Sequence, residues 1–169
     1  MKQFKRMGIT TYMFTGDNKQ VAEQVANKIG ITNFKAEMLP QDKYEEVEKM
    51  IRNQQEGKVA FVGDGINDSP VLALSDVGIS MGGVGQQAAI EASDIVIMTD
   101  NLEKIVEAIN ISRKTVKIIK QNLIFAIGTK VLVLILSTIG MAGMWQAIFA
   151  DVGVTLITIL NTLRILNKF

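Results

Sequence analysis

From Gln121 to Phe169 the sequence carries only four charged residues, Lys130, Asp151, Arg164 and Lys168. Two stretches within it, Gln121–Gly140 and Trp145–Ile165, each reach the roughly 20 apolar residues that an α-helix needs to cross a bilayer. Met141 to Met144 is too short for anything but a tight connection, and Gly143 suits a turn. The C-terminal third therefore predicts a transmembrane helical hairpin. Trp145 fits an interfacial aromatic at the start of the second span. Basic residues flank the outer ends of the pair (Arg113, Lys114, Lys117 and Lys120 before it, Arg164 and Lys168 at its close) and the tip has none. The positive-inside rule then puts both outer ends, and with them residues 1–120, in the cytosol.

Lys130 lies near the middle of the first span and Asp151 several residues into the second. Each alone costs about 2.5–3.5 kcal/mol on insertion scales. In an antiparallel hairpin turning near Ala142 the two fall at similar depth, by the helical rise per residue. A buried Lys–Asp pair is the economical arrangement. Intramembrane ionisable groups mark functional sites by default. A pair that only sets helix register is the alternative.

Residues 1–120 hold all the remaining charge and read as a soluble α/β region. Strand-like runs at Ile9–Phe14, Phe34–Met38, Val59–Val62, Val77–Ser80 and Asp94–Met98 alternate with helical patterns near Lys19–Ile29, after Leu39-Pro40, over Asp68–Leu74 and over Gln86–Ala92. This β-α alternation implies a mostly parallel sheet with helices on both faces. Val21, Val25 and Ile29 form an apolar stripe on the first of these helices, with Ala22 and Ala26 alongside. Tyr44, Val47 and Ile51 do the same on the second. A long helical pattern starts at Asn101 and runs into the first span.

The chemistry-bearing residues cluster in loops. Val59–Val62 reads as a buried strand that runs into Gly63-Asp64-Gly65-Ile66-Asn67-Asp68. Carboxylates at the C-terminal end of a parallel strand sit where open α/β sheets place ligands. Asp64 and Asp68, with Asn67 beside them, are hard oxygen donors suited to Mg²⁺. Their spacing is not that of an EF-hand, and a solvated turn is the alternative. Thr15-Gly16-Asp17 lies between a strand and a helix, where a hydroxyl and helix N-terminal amides can hold a phosphate oxygen. Asp17 or Asn18 can also simply cap that helix. Lys43 falls in the first turn of its helix, against the dipole, and so points to an anionic partner unless it is an ordinary surface lysine. Gly82-Gly83-Val84-Gly85 lacks the spacing of a dinucleotide fingerprint. With no cysteine or histidine in the chain, disulfides and thiolate or imidazole metal sites are excluded. The first ten residues lack the apolar core of a secretory signal, and there is no internal repeat or low-complexity tract.

Together, Thr15-Gly16-Asp17, Lys43 after Leu39-Pro40, and Gly63-Asp64-Gly65-Ile66-Asn67-Asp68 resemble the P-type ATPases, the pumps that form an aspartyl-phosphate intermediate. Lys130 followed by Asp151-Val152-Gly153 looks like the zinc, cadmium and lead exporters of the heavy-metal subclass, and the polar set of the copper exporters is not found. The resemblance covers essentially the whole chain and implies its C-terminal position in such a pump. It implies a partial Rossmann-like phosphorylation domain of the haloacid dehalogenase type over residues 1–100, a basic stalk over 101–120, and the transmembrane hairpin over 121–169.

The same resemblance implies site roles. Thr15 contacts the phosphoryl group, Gly16 and Asp17 belong to the same loop, and Lys43 neutralises phosphoryl charge. Asp64 and Asp68 hold Mg²⁺ with Asn67 supporting them, Asp151 binds the transported cation, and Lys130 serves as its counter-charge. The implied cofactors are Mg²⁺ and ATP. The implied partners are membrane lipid, a divalent heavy-metal cation and the missing N-terminal part of the pump, with no nucleic acid, in the plasma membrane. The chain contains no Asp-Lys-Thr-Gly motif, no Thr-Gly-Glu loop and no Cys-Pro-Cys site. It is therefore expected to be inactive alone, and its soluble part marginally stable, because a sheet without its nucleophile strand exposes an edge. Two other readings fit the motifs: a membrane-tethered haloacid dehalogenase-type phosphatase remnant, and a non-catalytic module that binds a full-length pump.

Overall fold

The computed structural model describes residues 1–63, 66–82 and 87–166. These form two compact units, 1–106 and 107–169.

The first unit alternates strands and helices: α1 (Lys2–Arg6), β1 (Tyr12–Phe14), α2 (Lys19–Ile29), β2 (Asn33–Lys35), α3 (Pro40–Asn53), β3 (Ala60–Gly63), a 3₁₀ turn (Ile66–Asp68), α4 (Ser69–Leu74), β4 (Val77–Met81), α5 (Gln87–Glu91) and β5 (Ile95–Ile97). Gly8 and Gly30 follow α1 and α2 with φ of 75° and 79°, the left-handed conformation in which glycine ends helices at least cost. Pro40 opens α3, where the missing amide costs nothing. All strand pairs are parallel, as the alternation predicts.

The expected single sheet is present as two: β1 pairs β2, and β3-β4-β5 pair in that order. Among the described residues β1 and β3 each have one partner only. The strands also differ in burial. β4, paired on both sides, is buried from Gly78 to Met81. β3 was expected to be a buried strand, yet Ala60 and Val62 are exposed and only Gly63 is buried. Ala60 and Val62 point to one face of the sheet and Phe61 and Gly63 to the other. Helices are what cover the faces of a parallel sheet, and the face carrying Ala60 and Val62 is left open.

The core of this unit gathers Ala22, Ala26, Met38, Val47, Val71, Leu72, Ile79, Met81, Ala89 and Ile97. Of the apolar stripe on α2, Ala22 and Ala26 alongside it are the buried members, while Val21 and Val25 are exposed. The two alanines let the α2 backbone approach its neighbours closely, which valine would prevent. A similar close approach occurs at Gly78, where an added Cβ would fall 2.6 Å from the Leu72 carbonyl oxygen.

The second unit is built on α6 (Glu103–Thr138), which starts in the first unit and merges the expected stalk and first span into one helix. Gly140, at φ 75°, ends it, and the Met141 amide donates back to the Leu136 carbonyl at 2.8 Å. The chain returns through α7 (Met144–Ile148), a π-helical segment (Phe149–Gly153) and α8 (Val154–Leu163). Both long helical stretches, Glu103–Thr138 and Met144–Leu163, are long and apolar enough to cross a membrane.

Candidate functional site

The loop after β1 is held by its own side chains. Thr15 Oγ1 donates to Asp17 Oδ2 at 2.9 Å and accepts from the Asp17 amide at 3.2 Å. The chain leaving β2 clamps it from below, with the Glu37 amide bonded to the Asp17 carbonyl and the Met38 amide to the Thr15 carbonyl. Gly16 passes close to that strand exit: a Cβ there would meet the Met38 carbonyl oxygen at 3.4 Å. The helix cap falls to Asn18, whose side chain accepts from the Val21 amide at 2.9 Å. Asp17 is therefore not spent as the cap and faces Thr15 instead.

Lys43 is not a lone surface lysine. Its Nζ lies 2.9 Å from Asp68 Oδ1, with side-chain exposures of 18% and 13%. Asp42, which belongs to none of the motifs, accepts from the Leu39 amide at 2.8 Å and supplies the negative charge that the start of α3 favours. Gly63 makes room for the Asp68 carboxylate. A Cβ on it would stand 3.0 Å from Asp68 Cβ and 3.3 Å from Asp68 Oδ2. Asn67 is exposed in the same 3₁₀ turn. Asp64 lies outside the described residues, as do Gly65 and residues 83–86 of the glycine cluster.

Among the described residues no group of three or more carboxylates gathers. The donor set nonetheless fits Mg²⁺: Asp68 keeps one oxygen beyond its bond to Lys43, and Mg²⁺ is commonly held by one or two carboxylates with water completing the shell.

In the second unit Lys130 Nζ donates to Asp151 Oδ1 at 2.9 Å, so the pair expected from equal depth forms. It is not buried as expected. The side chains are 55% and 71% exposed, because a two-helix hairpin has no further helix to cover them. Asp151 sits in the middle of the π-helical segment, a departure from α-geometry that occurs preferentially at functional sites. Gly153 allows it, since a Cβ there would lie 2.7 Å from the Phe149 ring. Thr155 Oγ1 donates to the Asp151 carbonyl at 2.6 Å. Neither the π segment nor a second polar cluster around Asn122 was foreseen. The available signal was Asn122 and Asn161, two amides inside predominantly apolar spans.

A family profile of haloacid dehalogenase-like hydrolases matches residues 1–76. The chain is 52% identical to a zinc-transporting ATPase of Synechocystis sp. over 98% of its own length and 23% of that protein. It is 51% identical to a cadmium, zinc and cobalt-transporting ATPase of Bacillus subtilis over 96% of its length and 24% of that protein. The chain thus spans about a quarter of these curated relatives. A crystal structure of a zinc-transporting PIB-type ATPase in the E2.Pi state superposes with a TM-score of 0.88 and 36% identity, covering 98% of this chain and 26% of that one.

Proposed function

The chain belongs to the heavy-metal-transporting P-type ATPases, and from that membership we propose that it forms the C-terminal part of an ATP-driven exporter of divalent zinc, cadmium or lead. In this reading residues 1–100 complete the phosphorylation domain, 101–120 are a basic stalk, and 121–169 are two membrane helices in the plasma membrane with residues 1–120 cytosolic. The rest of the pump supplies the aspartate nucleophile, the nucleotide-binding and actuator domains, and the helices that cover the hairpin.

The observation that carries the reading is the Lys130–Asp151 pair, closed at 2.9 Å yet open to its surroundings. A charged pair facing hydrocarbon is costly, so such residues turn toward a protein interior or a polar cavity. A carboxylate there attracts a divalent cation, and the Lys130 ammonium takes the cation's place when the site empties. Asp151 then never stands as an unpaired charge in a dry site.

In the soluble unit the work is positioning and charge neutralisation, which is most of phosphoryl transfer. Lys43 spends one of its three N–H donors on Asp68 and has two left for phosphoryl oxygens. Thr15 would turn its one hydroxyl proton from Asp17 to the same group, with Gly16 and Asp17 shaping the loop. Mg²⁺, held by Asp64 and Asp68 with Asn67 beside them, would neutralise phosphate charge when bound.

The test joins this chain to the remainder of a related pump in vesicles and follows acid-stable labelling by ATP. The expected result is Mg²⁺-dependent labelling stimulated by Zn²⁺, with the stimulation lost in Asp151→Asn. Labelling of the isolated 169-residue chain would overturn the division of labour. Undiminished Zn²⁺ stimulation in Asp151→Asn would overturn the role of the pair.

A further inference from the structure

A closed polar network ties α6 to α8 away from the ion pair. Asn122 Nδ2 donates to the Thr158 carbonyl at 3.2 Å and to Thr162 Oγ1 at 2.9 Å. Asn122 Oδ1 accepts from Asn161 Nδ2 at 2.8 Å. Asn161 Oδ1 accepts from the Arg164 guanidinium at 3.1 Å, and the Thr162 hydroxyl also lies 2.9 Å from the Thr158 carbonyl. Both donors of the Asn122 amide and its acceptor are used across the helix pair. A network that satisfies itself this way is a clamp and not a cage awaiting a ligand.

Its position bears on Lys130 and Asp151. Asn122 lies about two turns before Lys130 on α6, while Thr158 and Thr162 lie about two and three turns beyond Asp151, on the same face. Clamp and ion pair therefore demand one and the same antiparallel register. The ion pair alone is a poor guardian of that register. Lys130 ends a long flexible stem, and a slip of one helical turn moves a helix by about 5.4 Å, which such a stem can partly follow. The short Asn122 side chain cannot follow it. The π segment adds to the need, because it gives the second helix a local alternative in pitch directly at Asp151.

We propose that Asn122, with Asn161 and Thr162, is a positioning group that holds Asp151 opposite Lys130 and so sets the geometry of the cation site. The proposal rests on the reading of Asp151 as the cation ligand, but the positioning itself is measurable without any cation.

The experiment uses the full chain in metal-free lipid vesicles, with ¹⁵N at lysine ζ-nitrogens and ¹³C at aspartate side-chain carboxyls. Solid-state NMR dipolar dephasing reads the fraction of Lys130 in contact with Asp151, and the Lys130 signal is assigned by its loss in Lys130→Gln. Asn122→Leu and Asn161→Leu are expected to lower the ratio of paired to unpaired Lys130 by about threefold for each interhelical hydrogen bond lost, the size typical of such bonds in membranes. Thr162→Val, which keeps the shape and removes one acceptor, should lower it less and should insert normally even where the asparagine variants do not. Thr129→Val is the control, since that hydroxyl bonds only to Phe125 within its own helix. Loss of contact in Thr162→Val and the asparagine variants, with Thr129→Val unchanged, supports the clamp. Wild-type contact in Thr162→Val overturns it, as does equal loss in Thr129→Val. Failure of the cation reading would appear instead as Zn²⁺ leaving the wild-type Lys130–Asp151 contact undisturbed.

Discussion

The molecule holds two Lys–Asp pairs closed to the same 2.9 Å, and their surroundings differ completely. Lys43–Asp68 is enclosed by its own unit, where α3 and the turn after β3 leave both side chains less than a fifth exposed. Lys130–Asp151 is more than half exposed on a hairpin. The first pair is therefore a property of this fold. The second takes its energetic meaning from whatever lies against the hairpin, lipid or protein. Distance alone does not tell the two apart, whereas burial does.

Breaking the membrane pair should have the largest effect. Lys130→Leu or Asp151→Leu alone leaves one charge without its partner, and the surviving charge should oppose insertion by about 2.5–3.5 kcal/mol. The double replacement should recover insertion while losing Zn²⁺ binding, as read by a glycosylation-based insertion assay beside metal titration. Equal insertion of single and double variants would show that the two charges do not compensate each other.

Lys43→Ala should cost about 1–3 kcal/mol, because Asp68 keeps a partly buried charge without its hydrogen-bond donor. The urea midpoint of the full chain, with an unchanged slope, measures this. A loss of only a few tenths of a kcal/mol would place the pair with ordinary surface ion pairs.

Gly63→Ala sharpens the same point from the other side. The added methyl would crowd Asp68 at 3.0 Å, and the expected cost is about 1 kcal/mol, at the low end for overpacking. Combined with Lys43→Ala it should be less than additive, since both act on one carboxylate. Strict additivity in a double-mutant cycle would separate the two effects.

The smallest effect belongs to a third, surface pair. Lys58 donates to Asp76 at 2.8 Å and the Val59 amide donates to it at 2.9 Å. These hydrogen bonds, Lys58 first, hold the Asp76 carboxyl below its ordinary value of 3.8. A depressed carboxylate contributes stability that is fully present above its unfolded value and is lost as pH falls through the folded one. Asp76→Asn should therefore remove a small contribution at neutral pH, and its difference from the unsubstituted chain should vanish as pH falls below 3.8, which shows as a flatter acid limb. An unaltered acid limb would show that the contact does not persist in solution.

Much of the site was legible because its signals are local. Gly63 to Asp68 and Thr15 to Asp17 are each contiguous, and Lys43 stands out against the helix dipole. What stayed hidden depends on residues far apart in the chain. Nothing near Asn122 announces Asn161 or Thr162, because an amide in an apolar run is equally consistent with a lipid-exposed or an interhelical position. Asp42 was overshadowed by Lys43 beside it, although its cap at Leu39 is what makes the start of α3 electrostatically sound.

The sequence by itself determined the alternation of strands and helices, the two apolar spans and the pairing of Lys130 with Asp151. All of these follow from periodicity, length and the cost of lone charge. Only the tertiary structure decided that Ala22 and Ala26 face inward on α2 while the valines do not, and that the sheet divides between β1 and β3. It alone placed Asp151 in a π segment held by Gly153 and Thr155. The physical reason is the same in each case. Hydrophobic period fixes that a helix or strand forms, while the face it buries and the pitch it adopts depend on how closely a partner from elsewhere in the chain can approach.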